Sequence, residues 1–380
     1  MRSGAATLAT MLCVMLLGGC QTLSRPDFTI QDLAYVSPEI RLDTQNPSDV
    51  ERYAVAVRAA AASPADGTFD LLALSGGGSD GAYGVGLLVG WSERGDRPQF
   101  DVVTGVSTGA LMAPFAFIGQ AGDPLLQQAF TDGRIERVLE PRWAMSLFGP
   151  GLFRQRPLRA LVAASVTPDL LAAVAEQHRQ GRRLYVATTS LDTQGQVIWD
   201  MGALAGSADP GTIDRFIDIL TASASIPGVF PPVFVEMRRG ETVVRELHVD
   251  GRATLNFFLA PESLMTDGGL NLPQAPNGGA GRVWIIINGR PETRFRVTPF
   301  GGVDVASRGL DSMMKASTRM NVIASRQFAL LNDMTLAVAM APATGLETSL
   351  DFDRARLQAL FAAGHAAALE GTQWADPTLR

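Results

Sequence analysis

Hydrophobic positions along the chain follow two patterns. Short runs of consecutive apolar residues predict buried strands, and apolar positions spaced three or four apart predict helices. The predicted strands are residues 69–74, 100–104, 183–191, 196–200, 243–249, 282–287 and 334–340. The predicted helices are residues 50–62, 81–94, 108–118, 212–222, 303–331 (as one helix or two) and 352–369. Alternation of strand and helix predicts parallel strands with right-handed crossovers, so we expect an α/β fold around a mainly parallel sheet.

The first twenty residues differ from the rest of the chain. Arg2 precedes an apolar run at residues 8–17 that is too short for a transmembrane helix, which predicts a signal peptide over residues 1–19. The run ends in Leu-Gly-Gly-Cys, which resembles a bacterial lipobox with Cys20 as the lipidated mature N-terminus. The other cysteine, Cys13, lies in the same segment, and a lone exported thiol is otherwise unusual. We therefore expect a lipid-anchored envelope protein at the outer membrane or the periplasmic side. By resemblance to bacterial lipoprotein sorting patterns, the glutamine after Cys20 favours the outer membrane.

Composition narrows the class of function. The chain has 380 residues, 46% of them hydrophobic, which is enough to bury a large core. Its formal net charge is −6, and no block of like charges stands out. A mildly acidic chain without a basic stripe argues against nucleic-acid binding as its main activity.

A serine lies at the junction of the second predicted strand and the helix that follows it. Gly105, Ser107 and Gly109 form the pattern G-x-S-x-G between residues 100–104 and residues 108–118. This is the strand-turn-helix context of a nucleophile elbow, whose sharp turn leaves no room for side chains two positions on either side. The helix N-terminus also directs its amides and dipole towards charge that develops near Ser107. We expect Ser107 to be a nucleophile.

A serine nucleophile needs a base, and the chain contains three histidines, His178, His248 and His365. His178 lies at a polar helix end that is typical of solvated surface, and His365 lies within an alanine-rich helical pattern. Asp250 is the preferred base, because a predicted strand leads into its tight Asp-Gly turn and places the carboxylate at a sheet edge. An aspartate can serve only if burial and positioning raise its basicity above the ordinary pKa of about 4.

A glycine-rich turn follows the first predicted strand. Gly76, Gly78 and Gly81 match G-x-G-x-x-G, a dinucleotide-binding pattern, but Asp101 begins the next strand and so lies at the wrong edge for a ribose contact. In a parallel sheet this turn and the elbow share one edge. Backbone amides of Gly76, Gly77 and Gly78, with no Cβ in the way, are therefore expected to form an oxyanion hole.

Together these segments resemble the patatin-like phospholipase family. The similar stretches are SGGGSDGAYGVG (75–86), GVSTG (105–109), Asp250-Gly251 and TASASIPGVFPPV (221–233), and they span about residues 69–290. The resemblance implies a three-layer α/β/α fold and a lipid acyl hydrolase with a Ser107–Asp250 dyad. It also implies a phospholipid or other lipid ester as substrate, no metal and no cofactor. Gly81, Gly105, Gly109 and Gly251 are then motif glycines.

The same resemblance suggests a domain organisation. The signal peptide is followed by an N-terminal tether or arm at residues 20–66, a catalytic domain at residues 67–345, and a C-terminal helix at residues 346–380 that completes the domain. Residues 143–158, an apolar stretch around a Gly-Pro-Gly turn, are interpreted as core with a turn or as an apolar flap over the acyl-chain site.

Two residues depart from the family pattern. Asp80 stands where the oxyanion loop often carries Lys or Arg, and Arg252 follows Gly251 where Gly or Ala is usual. A literal Asp-Gly-Gly occurs later, at Asp267. We prefer Asp250, because a strand leads into it and Asn256 stands where the family often has Asn.

Two other functions remain open at this point. Ser107, Asp250 and His365 occur in the chain order of an α/β-hydrolase triad, so an esterase of that type is an alternative. A catalytically silent, lipid-anchored binding protein that keeps the fold is the other, since Asp80 and Arg252 depart from the pattern near the site.

Overall fold

The computed structural model describes residues 25–64, 66–140, 151–266, 269–273, 281–293, 295–342 and 350–374. The predicted signal peptide, Cys20, Asp267 and the first half of the apolar stretch at 143–158 lie outside these residues. The chain divides into two compact units, one of Pro38–Val235 with Glu246–Arg380 and one of Met1–Ser37 with Glu236–Arg245. The first unit contains the sheet core and every residue of the candidate site.

Nine strands form the sheet within the described residues, in the order β1-β5-β4-β3-β2-β8-β9, with β7 paired to β4 and β6 paired to β7. Strands β4, β3, β2, β8 and β9 are mutually parallel. The expected mainly parallel sheet is therefore confirmed. The strands are β1 (Arg41–Asp43), β2 (Asp70–Leu74), β3 (Val102–Val106), β4 (Arg183–Ser190), β5 (Gln196–Asp200), β6 (Val233–Arg239), β7 (Thr242–Asp250), β8 (Arg282–Ile287) and β9 (Thr335–Met340).

The helices cover both faces of the sheet, which buries β2 and β3 completely and explains their near-continuous apolar sequence. On one face, the helices at Pro47–Ala62 and Gly302–Leu331 enclose a core that includes Tyr53, Leu71, Val283 and Phe328. The helices are α1 (Ile30–Val36), α2 (Pro47–Ala62), α3 (Gly81–Arg94), α4 (Thr108–Phe117), α5 (Asp123–Thr131), α6 (Gln155–Ser165), α7 (Pro168–Arg179), α8 (Met201–Ala205), α9 (Thr212–Ser223), α10 (Glu262–Thr266), α11 (Gly302–Leu331) and α12 (Arg354–Glu370).

The C-terminal helix α12 packs directly on α3 and runs in the same direction. The backbones approach so closely that a Cβ on Gly86 would lie 2.0 Å from the carbonyl oxygen of Phe361, and one on Gly364 would lie 2.1 Å from that of Tyr83. Glycine at these two positions removes the side chains that would separate the helices. This packing joins α12 to the helix that begins at the glycine-rich turn.

Within the segment predicted as an N-terminal tether or arm, β1 and α2 pack as part of the core. β1 pairs antiparallel with β5, and Tyr53 of α2 is fully buried with its hydroxyl donating to the Leu259 carbonyl at 2.6 Å. Apolar positions at helical spacing predict α2 correctly, but their burial depends on a partner face supplied by distant segments. The predicted helices and strands leave out α1, α5, α6, α7, α8, α10, β1 and β6.

Among the described residues, no single helix is long and apolar enough to span a membrane. Helices α6 and α7, counted together, are long and apolar enough in length and composition alone. The two helices are bent by 66° relative to each other.

Candidate active site

Ser107 occupies a strained turn between β3 and α4. Its backbone has φ 56° and ψ −125°, a conformation that costs a non-glycine residue about 1–3 kcal/mol and persists only where the surroundings enforce it. A Cβ on Gly109 would lie 2.2 Å from the carbonyl oxygen of Leu74, and one on Gly105 would lie 2.6 Å from that of Gly109. Both motif glycines are thus required by close backbone contacts, as expected for a nucleophile elbow.

Asp250 reaches the serine through the register of the sheet. Val106, the last residue of β3, pairs with Ala187 of β4, and the next residue of β4, Thr188, pairs with Asp250. The end of β7 therefore occupies the position beside β4 that β3 leaves when the chain turns at Ser107. The two side chains meet there, and Ser107 Oγ donates a hydrogen bond of 2.7 Å to Asp250 Oδ2.

The carboxylate of Asp250 is completely buried. Its second oxygen, Oδ1, accepts a hydrogen bond of 2.8 Å from the backbone amide of Arg252, which orients the group. Burial raises the pKa of Asp250 to about 6, although the charge of Arg252 and the hydrogen bond from Ser107 oppose the rise. At neutral pH the carboxylate is therefore ionised and more basic than an exposed aspartate.

The stretch at residues 221–225 holds both partners in place. Ser223 Oγ accepts a hydrogen bond of 2.9 Å from the Ser107 amide and donates one of 2.7 Å to the Ala187 carbonyl. The Ser225 carbonyl accepts a hydrogen bond of 2.9 Å from the Asp250 amide. The sequence of this stretch resembles the family but contains no local pattern that assigns a role to its serines, because only the fold brings them to the elbow.

The glycine-rich turn lies beside the elbow as expected, but its three amides are not equivalent. The amide of Gly76 donates to the Asn256 carbonyl at 3.0 Å, so the prediction that Gly76 is an oxyanion donor is corrected. Within the described part of the chain, no group accepts a hydrogen bond from the amides of Gly77 and Gly78. Gly78 has a positive φ of 58° and lines the same cavity as Ser107.

The remaining motif glycines, Gly81 and Gly251, also lie where an added Cβ would clash with neighbouring atoms. A Cβ on Gly81 would lie 2.2 Å from Thr108 Cγ2, which links the start of α3 to the start of α4. One on Gly251 would lie 2.6 Å from the Ala187 carbonyl oxygen, so the Asp-Gly turn needs glycine to approach β4.

Asp80, which departs from the family pattern, has a clear partner. Its carboxylate accepts a hydrogen bond of 2.5 Å from the guanidinium of Arg356, near the start of α12. The cation in this ion pair therefore comes from the C-terminal helix, and the acidic residue lies in the turn.

None of the three histidines contacts Ser107 or Asp250 in the part of the chain that the structure describes. His365 Nε2 lies 2.8 Å from Glu93 Oε2, and Glu93 is twelve residues beyond Gly81, or about 18 Å along α3. His178 lies 3.6 Å from Asp200, and buried His248 hydrogen-bonds Thr188 at 3.0 Å. The geometry favours the dyad over a triad that includes His365.

A small apolar cavity opens onto Ser107. A second small cavity shares three lining residues with it, Leu111, Ile135 and Leu161. The two cavities therefore adjoin. Residues of α4, α6 and the turn at residues 135–138 line both of them. No cluster of three or more His, Cys, Asp or Glu side chains suited to a metal ion occurs within the described ranges.

Comparison with known proteins identifies one matching family. The family model of patatin-like phospholipases matches residues 72–273, more than half of the chain, and the matched segment includes the elbow, Asp250 and the glycine-rich turn. The crystal structure of VipD from Legionella pneumophila is 13% identical over 80% of this chain and 67% of that chain, with a TM-score of 0.35. A comparison with curated proteins found no significant match. On the strength of the family match, the chain belongs to the patatin-like phospholipase family, a family of lipid acyl hydrolases.

Proposed function

We propose that the protein hydrolyses carboxylic ester bonds of lipids, with Ser107 as the nucleophile and Asp250 as the base. The observation that carries the proposal is the 2.7 Å hydrogen bond from a hydroxyl on a strained elbow to a fully buried carboxylate. Burial makes that carboxylate a stronger base, and the hydrogen bond already lies along the path of proton transfer.

In the proposed reaction, Asp250 takes the proton of Ser107 Oγ as that oxygen attacks the acyl carbonyl carbon. The negative charge passes to the carbonyl oxygen, where the amides of Gly77 and Gly78 and the N-terminus of α4 stabilise it. Asp250 then gives the proton to the departing alcohol oxygen, which leaves an acyl-enzyme. Water, deprotonated by Asp250, attacks the acyl-enzyme and releases a fatty acid, and Ser107 recovers its proton.

The apolar lining beside Ser107 supports a binding site for the acyl chain. It extends from Ser107 along side chains such as Leu158, Ile226 and Phe230, and it adjoins the second cavity through Leu161. A hydrocarbon chain that enters both cavities transfers its surface out of water, which favours long-chain esters over short ones.

A fluorophosphonate probe tests the nucleophile. We expect covalent labelling of the wild type, no labelling of Ser107→Ala, and release of fatty acid from a micellar lysophospholipid by the wild type alone. Thermal unfolding of Ser107→Ala checks that the variant is folded. Absence of both labelling and hydrolysis in folded wild type would instead favour the silent lipid-anchored binding protein.

We also propose that the protein is anchored in the bacterial cell envelope by lipid on Cys20, at the outer membrane or the periplasmic side. The support is the lipobox-like Leu-Gly-Gly-Cys and the absence of any other cysteine beyond Cys13 in the sequence. Metabolic labelling with palmitate in a bacterial host should mark the wild type and fail to mark Cys20→Ala. Labelling of both proteins would contradict the anchor.

A further inference from the structure

The long helix α11 presents an uncharged line of side chains to solvent. Its buried side chains, among them Val322 and Phe328, pack on the core of the sheet. From residue 313 onwards the exposed positions of the helix are Met313, Ala316, Met320, Ile323, Gln327, Leu330 and Leu331. The charged residues Lys315, Arg319 and Arg326 lie beside this line and are only partly exposed. This reverses the usual arrangement, in which charged residues occupy the most exposed face of a surface helix.

The spacing of these residues is that of a coiled-coil seam. We define the seam as Ala306, Gly309, Met313, Ala316, Met320, Ile323, Gln327 and Leu330, all of them exposed. Successive members are three and four residues apart in strict alternation. A stripe that repeats every 3.5 residues or so, about half a heptad, is narrower than the face by which a helix packs on a core, and it is the pattern by which one helix packs against another. The seam therefore favours a second helix as its partner over a lipid surface.

Small and large residues are distributed along the seam in a way that suits a second copy of α11 in the antiparallel direction. A two-fold axis near residue 318 would place Ala306 opposite Leu330, Gly309 opposite Gln327, Met313 opposite Ile323, and Ala316 opposite Met320 of the second copy. Three of these four layers join a small residue to a large one, the arrangement that fills a helix interface without gaps. A parallel pair in register would instead place Gly309 and Ala316 each against itself and leave space unfilled.

Charge and area are also compatible with self-association, because no member of the seam is charged. Arg319 donates to the Pro291 carbonyl of its own chain at 2.7 Å, and Lys315 lies 3.2 Å from Asp311, so both cations are engaged within the protomer. The five large apolar side chains at residues 313, 320, 323, 330 and 331 are between 39% and 74% exposed. Covering them in two copies approaches the roughly 1,000 Å² that a specific protein interface buries.

We propose that α11 is a surface for self-association, through which two copies of the chain pair by antiparallel packing of their seams. The same patch then serves on both copies, which is the geometry of a closed two-fold dimer. Methionine, which the seam contains at residues 313 and 320, is enriched in the cores of protein interfaces. The proposal goes beyond the proposed hydrolase function and does not depend on it, because no residue of the seam belongs to the active site.

Introduced cysteines test both the contact and its direction, because the chain has no cysteine besides Cys13 and Cys20. In the antiparallel pair, position 313 of one copy lies against position 323 of the other, within the Cα separation of about 4.4–6.8 Å that a disulfide needs. The two positions are about 15 Å apart along one helix, so they cannot pair within one copy. We expect the full chain with both Met313→Cys and Ile323→Cys to form a covalent dimer when intact cells are oxidised with copper phenanthroline. Each single variant should remain monomeric, like the wild type.

Ala359→Cys combined with Leu369→Cys is the matched control. These positions are also exposed and ten residues apart, but they lie on α12 and outside the seam. The control should give no more covalent dimer than the wild type. As much dimer from the single variants as from the double variant would overturn the antiparallel register, and no dimer from any seam variant would overturn the self-association.

Light scattering on the purified full chain gives a second measurement without introduced cysteines. Met320→Glu places two like charges close to the two-fold axis, so it should halve the protein mass relative to the wild type in the same detergent and leave the thermal midpoint unchanged, since Met320 is exposed. Leu369→Glu, at an exposed position of α12, should keep the mass of the wild type. A monomeric wild type overturns the proposal. If Met320→Glu then also weakens co-sedimentation of the Cys20→Ala chain with phosphatidylethanolamine–phosphatidylglycerol vesicles, the seam contacts membrane instead.

Discussion

The hydroxyl of Ser107 donates a 2.7 Å hydrogen bond to the carboxylate of Asp250, which ends a strand antiparallel to its neighbour β4. β7 pairs with β4 only where β3 has ended, so Ser107 and Asp250 approach from opposite directions and meet at one sheet edge. In the proposed mechanism, burial adjusts the proton affinity of Asp250, so that the dyad works without an imidazole.

The pH dependence of activity follows from this burial. Because the pKa of Asp250 is raised to about 6, we expect kcat/KM to rise with pH through about 6 and to level off above it. Asp250→Asn should lower kcat/KM by about 10²- to 10⁴-fold, as for loss of a general base, and should remove this limb of the profile. Initial rates from pH 4.5 to 8.5 on a non-ionisable ester measure both. A rise centred near pH 4 would contradict the assignment.

The same carboxylate should make the wild type less stable as the pH rises. The folded state binds the Asp250 proton more tightly than the unfolded chain, so stability falls between the ordinary pKa of 3.8 and the raised value of about 6. Asp250→Asn carries no such charge and should gain up to about 3 kcal/mol relative to the wild type at pH 8, with the difference shrinking towards pH 4. Urea unfolding at the two pH values measures it, and a difference that does not depend on pH would count against the buried carboxylate.

His365→Ala distinguishes the dyad from the triad. His365 contacts Glu93 on the partly exposed surface between α12 and α3, so we expect full hydrolytic activity and a loss of at most about 1 kcal/mol of stability. The measurement is kcat/KM together with the thermal midpoint. A folded but inactive variant would require a histidine in the mechanism and would reject the dyad.

Two glycine-to-alanine changes should have opposite effects on stability. The Cβ of Gly109→Ala would meet the Leu74 carbonyl oxygen at 2.2 Å, which we expect to cost about 1–3 kcal/mol and to reduce fluorophosphonate labelling by distorting the elbow. Gly309 lies in α11, and a Cβ added there would have nothing within 4 Å, so Gly309→Ala should stabilise by about 0.5–1 kcal/mol. If Gly109→Ala were as harmless to labelling and stability as Gly309→Ala, the elbow would tolerate a side chain at position 109.

The ion pair between Asp80 and Arg356 should couple α12 to the glycine-rich turn. Asp80→Asn and Arg356→Gln are each expected to cost about 1.5–3 kcal/mol, and the double variant should cost little more than either alone. Asp80→Lys, which introduces the cation common in the family, should be more harmful here, because it places like charge beside Arg356. Additive losses in the double-mutant cycle would mean that the pair contributes no coupling.

Much of the site could be predicted from the sequence because its signals are local. A serine between two glycines, after an apolar strand and before a helix, can adopt only a narrow range of backbone conformations. The strand before Asp250 and its tight Asp-Gly turn restrict the backbone in a similar way. Asp250 is therefore preferred over Asp267 as the base.

Other parts of the site depend on contacts between residues far apart in sequence. Gly76 was expected to donate to an oxyanion, but its amide is used by the Asn256 carbonyl, 180 positions away in the chain. The serines at 223 and 225 support the elbow only because α9 ends beside β4. No local pattern of polarity encodes either contact.

The sequence by itself determined the parallel α/β fold, the elbow at Ser107 and the choice of Asp250, since periodicity and glycine spacing act over a few residues. Only the tertiary structure decided that β7 runs antiparallel into the space beyond β3, and that Asp80 pairs with Arg356. It also decided that Arg252 lies unsatisfied across Gly76. These contacts depend on which polar groups come within hydrogen-bonding distance of each other. The packing of the whole sheet decides those distances.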